Sequence, residues 1–197
     1  MDIAVVGWGS VVWNPGSLDL ASRWHKDGPE LPIEFARLSG NGTVTLVVTH
    51  TWGTPVRTYW AKSRKTCMDS ARLDLQARER TPDIANIGGV TASGEIFGRA
   101  RFEQVGQMIH LWLLDRSIQG AVWTGLREKG VEQLTDADRN EWVEGLPPDA
   151  DSHIEMYVRR APLQVRTPVR AWLTEKFGWE AILIPAESFV DGVAEDV

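Results

Sequence analysis

The stretch that constrains this chain most is Ala4-Val-Val-Gly-Trp-Gly-Ser10, close to the amino end. Ile3 to Val6 is a short apolar run, and it ends in two glycines one residue apart. That pattern predicts a buried strand running into a glycine-permitted turn. Two familiar loops can be set aside at once. In a dinucleotide-binding loop a helix follows the glycines, whereas Asn14-Pro15-Gly16 breaks the chain here and no strand-helix-strand pattern comes after. In the nucleophile elbow, glycines stand two residues either side of the serine, and Ser10 has no such frame. Two readings of the turn remain. Its backbone N–H groups can form a nest for an anion or a carboxylate, or the glycines serve a tight turn that needs positive φ.

Further along, Thr43 to Thr49 is rich in β-branched residues and Val56 to Ala61 alternates weakly. With Trp52-Gly53-Thr54-Pro55 between them, they predict an antiparallel pair of strands. Residues 17–32 read as loop. Asp69 is placed to cap a helix running to about Arg80, stopped by Thr81-Pro82. Met108 to Leu114 and Gly120 to Trp123 read as strands. Leu134 to Asp138 resembles a staple and cap for a helix to about Glu144, with Gly145 beyond and a loop at Pro147-Pro148-Asp149. Thr167-Pro168 supplies an N-cap and a first-turn proline for a helix ending at Gly178. The sum is an α+β fold: a small, mainly antiparallel, barrel-like sheet with peripheral helices. We expect one domain over residues 1–197, with a core at 1–128 and a helical extension at 129–197, of which residues 129–180 add two helices packed on the sheet.

Composition excludes several classes. The net charge of −6 disfavours nucleic acid as a partner. Arg159, Arg160, Arg166 and Arg170 form a local exception, read as a solvated or ion-paired face. With a single cysteine, Cys67, no internal disulfide can form, and no apolar run reaches bilayer length. We therefore expect a cytoplasmic protein with no membrane partner. The four histidines, His25, His50, His110 and His153, show no metal-ligand spacing, so no metal site and no cofactor is expected. A Ser-His-Asp triad cannot be read from sequence order. Ten Trp against two Tyr suits core packing first and ligand stacking second.

Val6-Gly-Trp-Gly-Ser-Val-Val-Trp-Asn-Pro-Gly16 resembles the opening of the γ-glutamylcyclotransferase-like superfamily of the ChaC type, in which a strand leads into Tyr-Gly-Ser-Leu. Thr43 to Val48 and Val56 to Ala61 resemble the strands that follow. Leu75-Gln-Ala-Arg-Glu79 is similar to the family's Leu-Asp-x-Arg-Glu helix end, and Glu79 follows Ser10 by 69 positions, about the family's separation. The likeness spans roughly residues 3–125. Two positions depart from it: Trp8 stands in the place of the family's Tyr, and Arg80-Thr81-Pro82 replaces a Gly-Gly-Tyr. Residues 129–197, with Glu155-Met-Tyr-Val-Arg-Arg-Ala-Pro162, have no counterpart.

The resemblance implies an enzyme that releases 5-oxoproline from a γ-glutamyl amine or peptide. It makes Glu79 the catalytic acid-base and Gly7, Trp8, Gly9 and Ser10 the substrate loop, with Trp13 a further pocket wall. One carboxylate suffices for such a reaction because the nucleophile is the substrate's own α-amine. Ring closure within one molecule gains from holding the γ-glutamyl arm folded. On charge pattern alone Glu79 is a solvated residue in a helix rich in Arg. The rival expectation is a non-catalytic small-molecule-binding or protein-interaction module on the same fold, which the two departures and the many Trp favour.

Overall fold

The computed structural model describes residues 1–40, 42–50, 53–129, 151–185 and 188–189. Two open sheets organise them. The larger has five strands in the order β5 (Tyr59–Lys62), β1 (Ile3–Gly7), β8 (Gly120–Thr124), β6 (Ile87–Thr91), β7 (Ile96–Phe97). Only the β1–β8 pair is parallel; the other pairings are antiparallel. The smaller sheet is wholly antiparallel, with β2 (Glu30–Leu38) between β3 (Val44–Val48) and β4 (Thr54–Arg57). The α+β, mainly antiparallel class is thus as expected, but the strands form two separate sheets and no closed barrel.

The helices are α1 (Ser10–Trp13), α2 (Met68–Glu79), α3 (Glu103–Leu114), α4 (Asp151–Arg160) and α5 (Pro168–Phe177). Both faces of the large sheet are covered, which is why β1 carries five buried residues in a row rather than alternating ones. Ile3 and Val5 face a core built with Met68, Ala71 and Leu75 of α2. Ala4 and Val6 face the other core, with Leu31, Ile33 and Phe35 of β2, Ile109 of α3 and Val158 of α4. Every described Trp is buried in, or packed against, one of the two cores.

Four local expectations need correction. Met108 to Leu114 is not a strand but the end of α3: Val105, Ile109 and Leu113, four apart, are buried, while Leu111 is 64 % exposed. The apolar run hides a helical stripe. The stretch from Val56 to Ala61 is not one strand. It breaks at Thr58, whose N–H and hydroxyl both donate to the Pro29 carbonyl, at 3.1 and 2.6 Å. The chain crosses there from one sheet to the other, so β3 and β4 flank β2 instead of pairing together. β2 itself begins within the span read as loop, since Pro32 sits opposite Pro55 where neither ring disrupts the pairing. Lastly, Cys67 and not Asp69 is the N-cap of α2, and Arg80, at φ 51°, closes it in the left-handed conformation.

The helix from Thr167 is as read from sequence. Thr167 Oγ1 accepts from the Arg170 N–H (3.4 Å) and Gly178, at φ 69°, ends it. Buried Glu34 joins this helix to β2 by accepting from the Val169 N–H at 3.4 Å. Arg170 is no surface cation. It is buried and donates to the carbonyls of Ala161, Pro162 and Val165, while Arg159 pairs with Glu155 at 2.7 Å. The helix expected over 134–144 and the loop at 147–149 lie outside the described residues. Among the described residues no helix is long and apolar enough to cross a membrane.

Candidate active-site cleft

A cleft of about 300 Å³ opens beyond the carboxyl ends of the parallel pair β1 and β8. Strand β1 delivers Gly7, Trp8 and Gly9 to its floor, and α1 begins immediately at Ser10. Strand β3 lends Thr45, Leu46 and Val47 to one wall. The carboxyl end of α2 brings Arg78 and Glu79 to another, and α4 brings Tyr157. Glu79 and the Gly7–Ser10 turn, far apart in sequence, therefore share one concavity.

Arg78 ties them together. Its Nη1 meets Glu79 Oε1 at 2.5 Å, while Nη2 donates to Ser10 Oγ at 3.1 Å and to the Asn14 carbonyl at 2.6 Å. The pair is largely shielded, with side chains 10 % and 13 % exposed for Arg78 and Glu79. The planar guanidinium suits this task because its donors point to several acceptors at once.

The turn needs its glycines for room. At Gly9 φ is −119°, so the left-handed conformation is not the reason. A Cβ there would lie 2.7 Å from Tyr157 Oη, and one on Gly7 would lie 2.6 Å from Val11 Cγ1. The Val12 N–H closes on the Gly9 carbonyl and the Asn14 N–H on the Ser10 carbonyl. The Gly9 amide donates to no acceptor among the described residues.

No family model, curated protein or solved structure matches the chain.

Tyr157 is the residue that sequence reasoning missed. Its ring is clamped edge-on by Trp13 (5.2 Å between centroids) and Phe35 (6.3 Å). Burial pushes its phenol up to about 12, with the Glu79 charge a further contribution in the same direction. The amides of Leu46 and Ser10 and the Arg78 charge work against that rise without cancelling it. Near neutrality the hydroxyl is protonated. It accepts from the Leu46 N–H at 3.4 Å, so its own proton is available to the cleft. The one sequence signal was rarity, because Tyr157 is one of two tyrosines in the chain.

Trp8 lines the cleft but is mostly buried, its Nε1 donating to the Leu46 carbonyl at 3.4 Å. Trp13 does not line it and instead backs Tyr157. None of the four histidines lines it either, and Ser10 Oγ meets Arg78 where a triad would place an imidazole. Among the described residues, no group of three or more His, Cys, Asp or Glu is arranged to hold a metal ion.

Proposed function

We propose that this protein is a γ-glutamylcyclotransferase-like enzyme that releases 5-oxoproline from a γ-glutamyl amine or peptide. The observation that carries the reading is the shared cleft: among the described residues the only carboxylate lining it is Glu79, and the Gly9–Ser10 turn lines the same space. Glu79 takes a proton from the substrate's α-ammonium group, and the freed amine attacks the γ-carbonyl carbon. A C–N bond forms as the ring closes. The bond to the leaving nitrogen then breaks as Glu79 returns the proton to it, and the second ammonium proton leaves with the product amine. The nucleophile belongs to the substrate, so no activated Ser or Cys is required.

Three groups suit the charges of this reaction. The Gly9 amide is free to donate to the substrate's α-carboxylate or to the oxyanion of the tetrahedral intermediate. The Tyr157 hydroxyl, protonated and fixed by its aromatic neighbours, can donate to the same oxygen. It supplies, from α4, a phenol in the cleft although Trp8 replaces the Tyr of the resembling loop. The cleft, at about 300 Å³, has room for a folded γ-glutamyl arm.

One observation favours the rival, a binding module without catalysis. Glu79 is already in contact with Arg78, so its carboxylate is committed to a partner within the protein. Mass-spectrometric assay of 5-oxoproline from a panel of γ-glutamyl amines and peptides separates the two. Turnover should appear and should fall by about a hundredfold or more in Glu79→Gln, the usual scale for losing a general acid-base. The melting temperature should fall only modestly, because the Gln amide oxygen can still accept from Arg78. Binding of the same compounds without any 5-oxoproline would establish the module instead.

A further inference from the structure

Beside the cleft, and sharing Arg37 and Leu126 with it, lies a second hollow of about 410 Å³. Arg37, Arg99, Arg101, Arg127 and Lys129 line it, with Asn86 and, among the described residues, no carboxylate. In a chain of net charge −6 this is a pronounced local reversal. Three separate segments supply the cations. β2 carries Arg37, the turn before α3 carries Arg99 and Arg101, and the strand-like extension after β8 carries Arg127 and Lys129. The Lys129 backbone is anchored on β2, donating to the Ala36 carbonyl (3.2 Å) and accepting from the Leu38 N–H (2.8 Å).

Arg37 and Arg101 are held in place but not neutralised. Arg37 donates to the Arg127 carbonyl at 2.9 Å, and Arg101 to the Gly125 carbonyl at 2.7 Å while stacking on Phe102. Among the described residues, Arg99 alone of these cations meets a carboxylate, that of Asp83. Among the described residues no ion pair reaches Arg37, Arg101, Arg127 or Lys129. Burial, and then the neighbouring Arg127 charge, pull the Arg37 guanidinium down from its ordinary range. Burial and the charges of Arg99 and Arg127 do the same to Arg101. Like charges gathered this way cost stability unless an anion joins them.

We propose that this hollow binds a multiply charged oxyanion, and that the anion is the tail of the molecule whose γ-glutamyl head fills the cleft. The second clause rests on the cyclotransferase reading; the first stands without it. Arg37 lines both spaces, so one molecule can run from the cleft into the hollow. A substrate spanning both would have a leaving amine that ends in a phosphate or in paired carboxylates. Arg supplies the forked donors that such groups accept.

The test starts with calorimetric titration of inorganic pyrophosphate. Arg127 and Lys129 are exposed and make no side-chain hydrogen bond among the described residues, so Arg127→Gln/Lys129→Gln removes charge without removing a structural contact. Pyrophosphate should bind wild type and Glu79→Gln alike, bind the double variant about tenfold or more weakly, and lose affinity with added salt. No saturable binding, or binding indifferent to the double substitution, would overturn the oxyanion site. The second arm compares 5-oxoproline release from γ-glutamyl amines whose leaving group ends in phosphate or in methyl. The phosphate compound should show a KM about tenfold lower, and the double variant should erase that difference. Equal KM values would remove the tail and leave a free anion as the ligand. Pyrophosphate binding with no turnover of either compound would end the cyclotransferase reading and the tail with it, and keep the oxyanion site.

Discussion

Gly9 and Tyr157 are fitted to each other: a methyl group on Gly9 would sit 2.7 Å from the tyrosine hydroxyl, well inside contact distance. The ring cannot swing aside, because Trp13 and Phe35 pack edge-on against it. Gly9→Ala should therefore cost about 1–3 kcal/mol, the range for overpacking a tight site. Tyr157→Phe removes the obstructing oxygen, so the double variant should be less destabilised than the two single costs summed. Chemical denaturation of all four proteins measures that coupling. Strict additivity would mean that the hydroxyl is not what excludes a side chain at Gly9.

Arg78 fastens the end of α2 to the turn through Glu79, Ser10 and Asn14. Arg78→Gln strands the Glu79 carboxylate in a largely shielded place and should cost about 2 kcal/mol. Arg78→Lys should not restore it, because one ammonium cannot reach three acceptors in a plane. Removing both charges in Arg78→Gln/Glu79→Gln should be milder than Arg78→Gln alone. Urea unfolding of the three variants decides it, and equal stability of Arg78→Gln and wild type would show that the staple holds nothing.

Tyr157 makes a pH prediction with a definite sign. Its phenol is raised from 10.0 to about 12 in the folded protein. Below pH 10 it is protonated whether folded or unfolded, and the contribution is fully present. Between pH 10 and 12 the unfolded chain releases the proton and the folded one retains it. Stability falls there, by roughly 3 kcal/mol in total. Other groups titrate in this window, so the measurement is wild type minus Tyr157→Phe. That difference should shrink as the pH rises and stay constant below 10.

Arg80 is the only described non-glycine residue with positive φ, at 51°. A side chain there costs energy that glycine avoids. Arg80→Gly should leave stability unchanged or raise it by up to about 1 kcal/mol, since the strain relieved is offset by a more flexible unfolded chain. A thermal melt showing clear destabilisation would mean that the Arg80 side chain contributes more than its backbone strain takes away.

Much of the frame was legible because it depends on neighbours in sequence. The apolar run at Ile3–Val6 and the glycines after it define a strand and a crowded turn wherever the rest of the chain goes. Thr167, Pro168 and Gly178 define a helix by local capping chemistry. The helix from Met68 to Glu79 was visible too, though its cap fell two residues earlier than Asp69 suggested. Met108 to Leu114 was misread because a helical stripe within a continuous apolar run can be told from a strand only by what each face meets. Thr58 was misread because its break answers to Pro29, a partner distant in sequence.

The cleft shows the same division. Sequence alone proposed Glu79 and Gly7–Ser10 through a resemblance, with no means of bringing them together. Folding did that by placing the end of α2 beside the end of β1 and bridging them with Arg78. Tyr157 and the cations around Arg37 could not be foreseen, because each is unremarkable among its sequence neighbours. Their chemistry comes from burial, from aromatic clamping and from like charges brought together from three segments. Sequence fixes which groups a chain owns, whereas the dielectric, the charges and the room around each group exist only once the chain has folded.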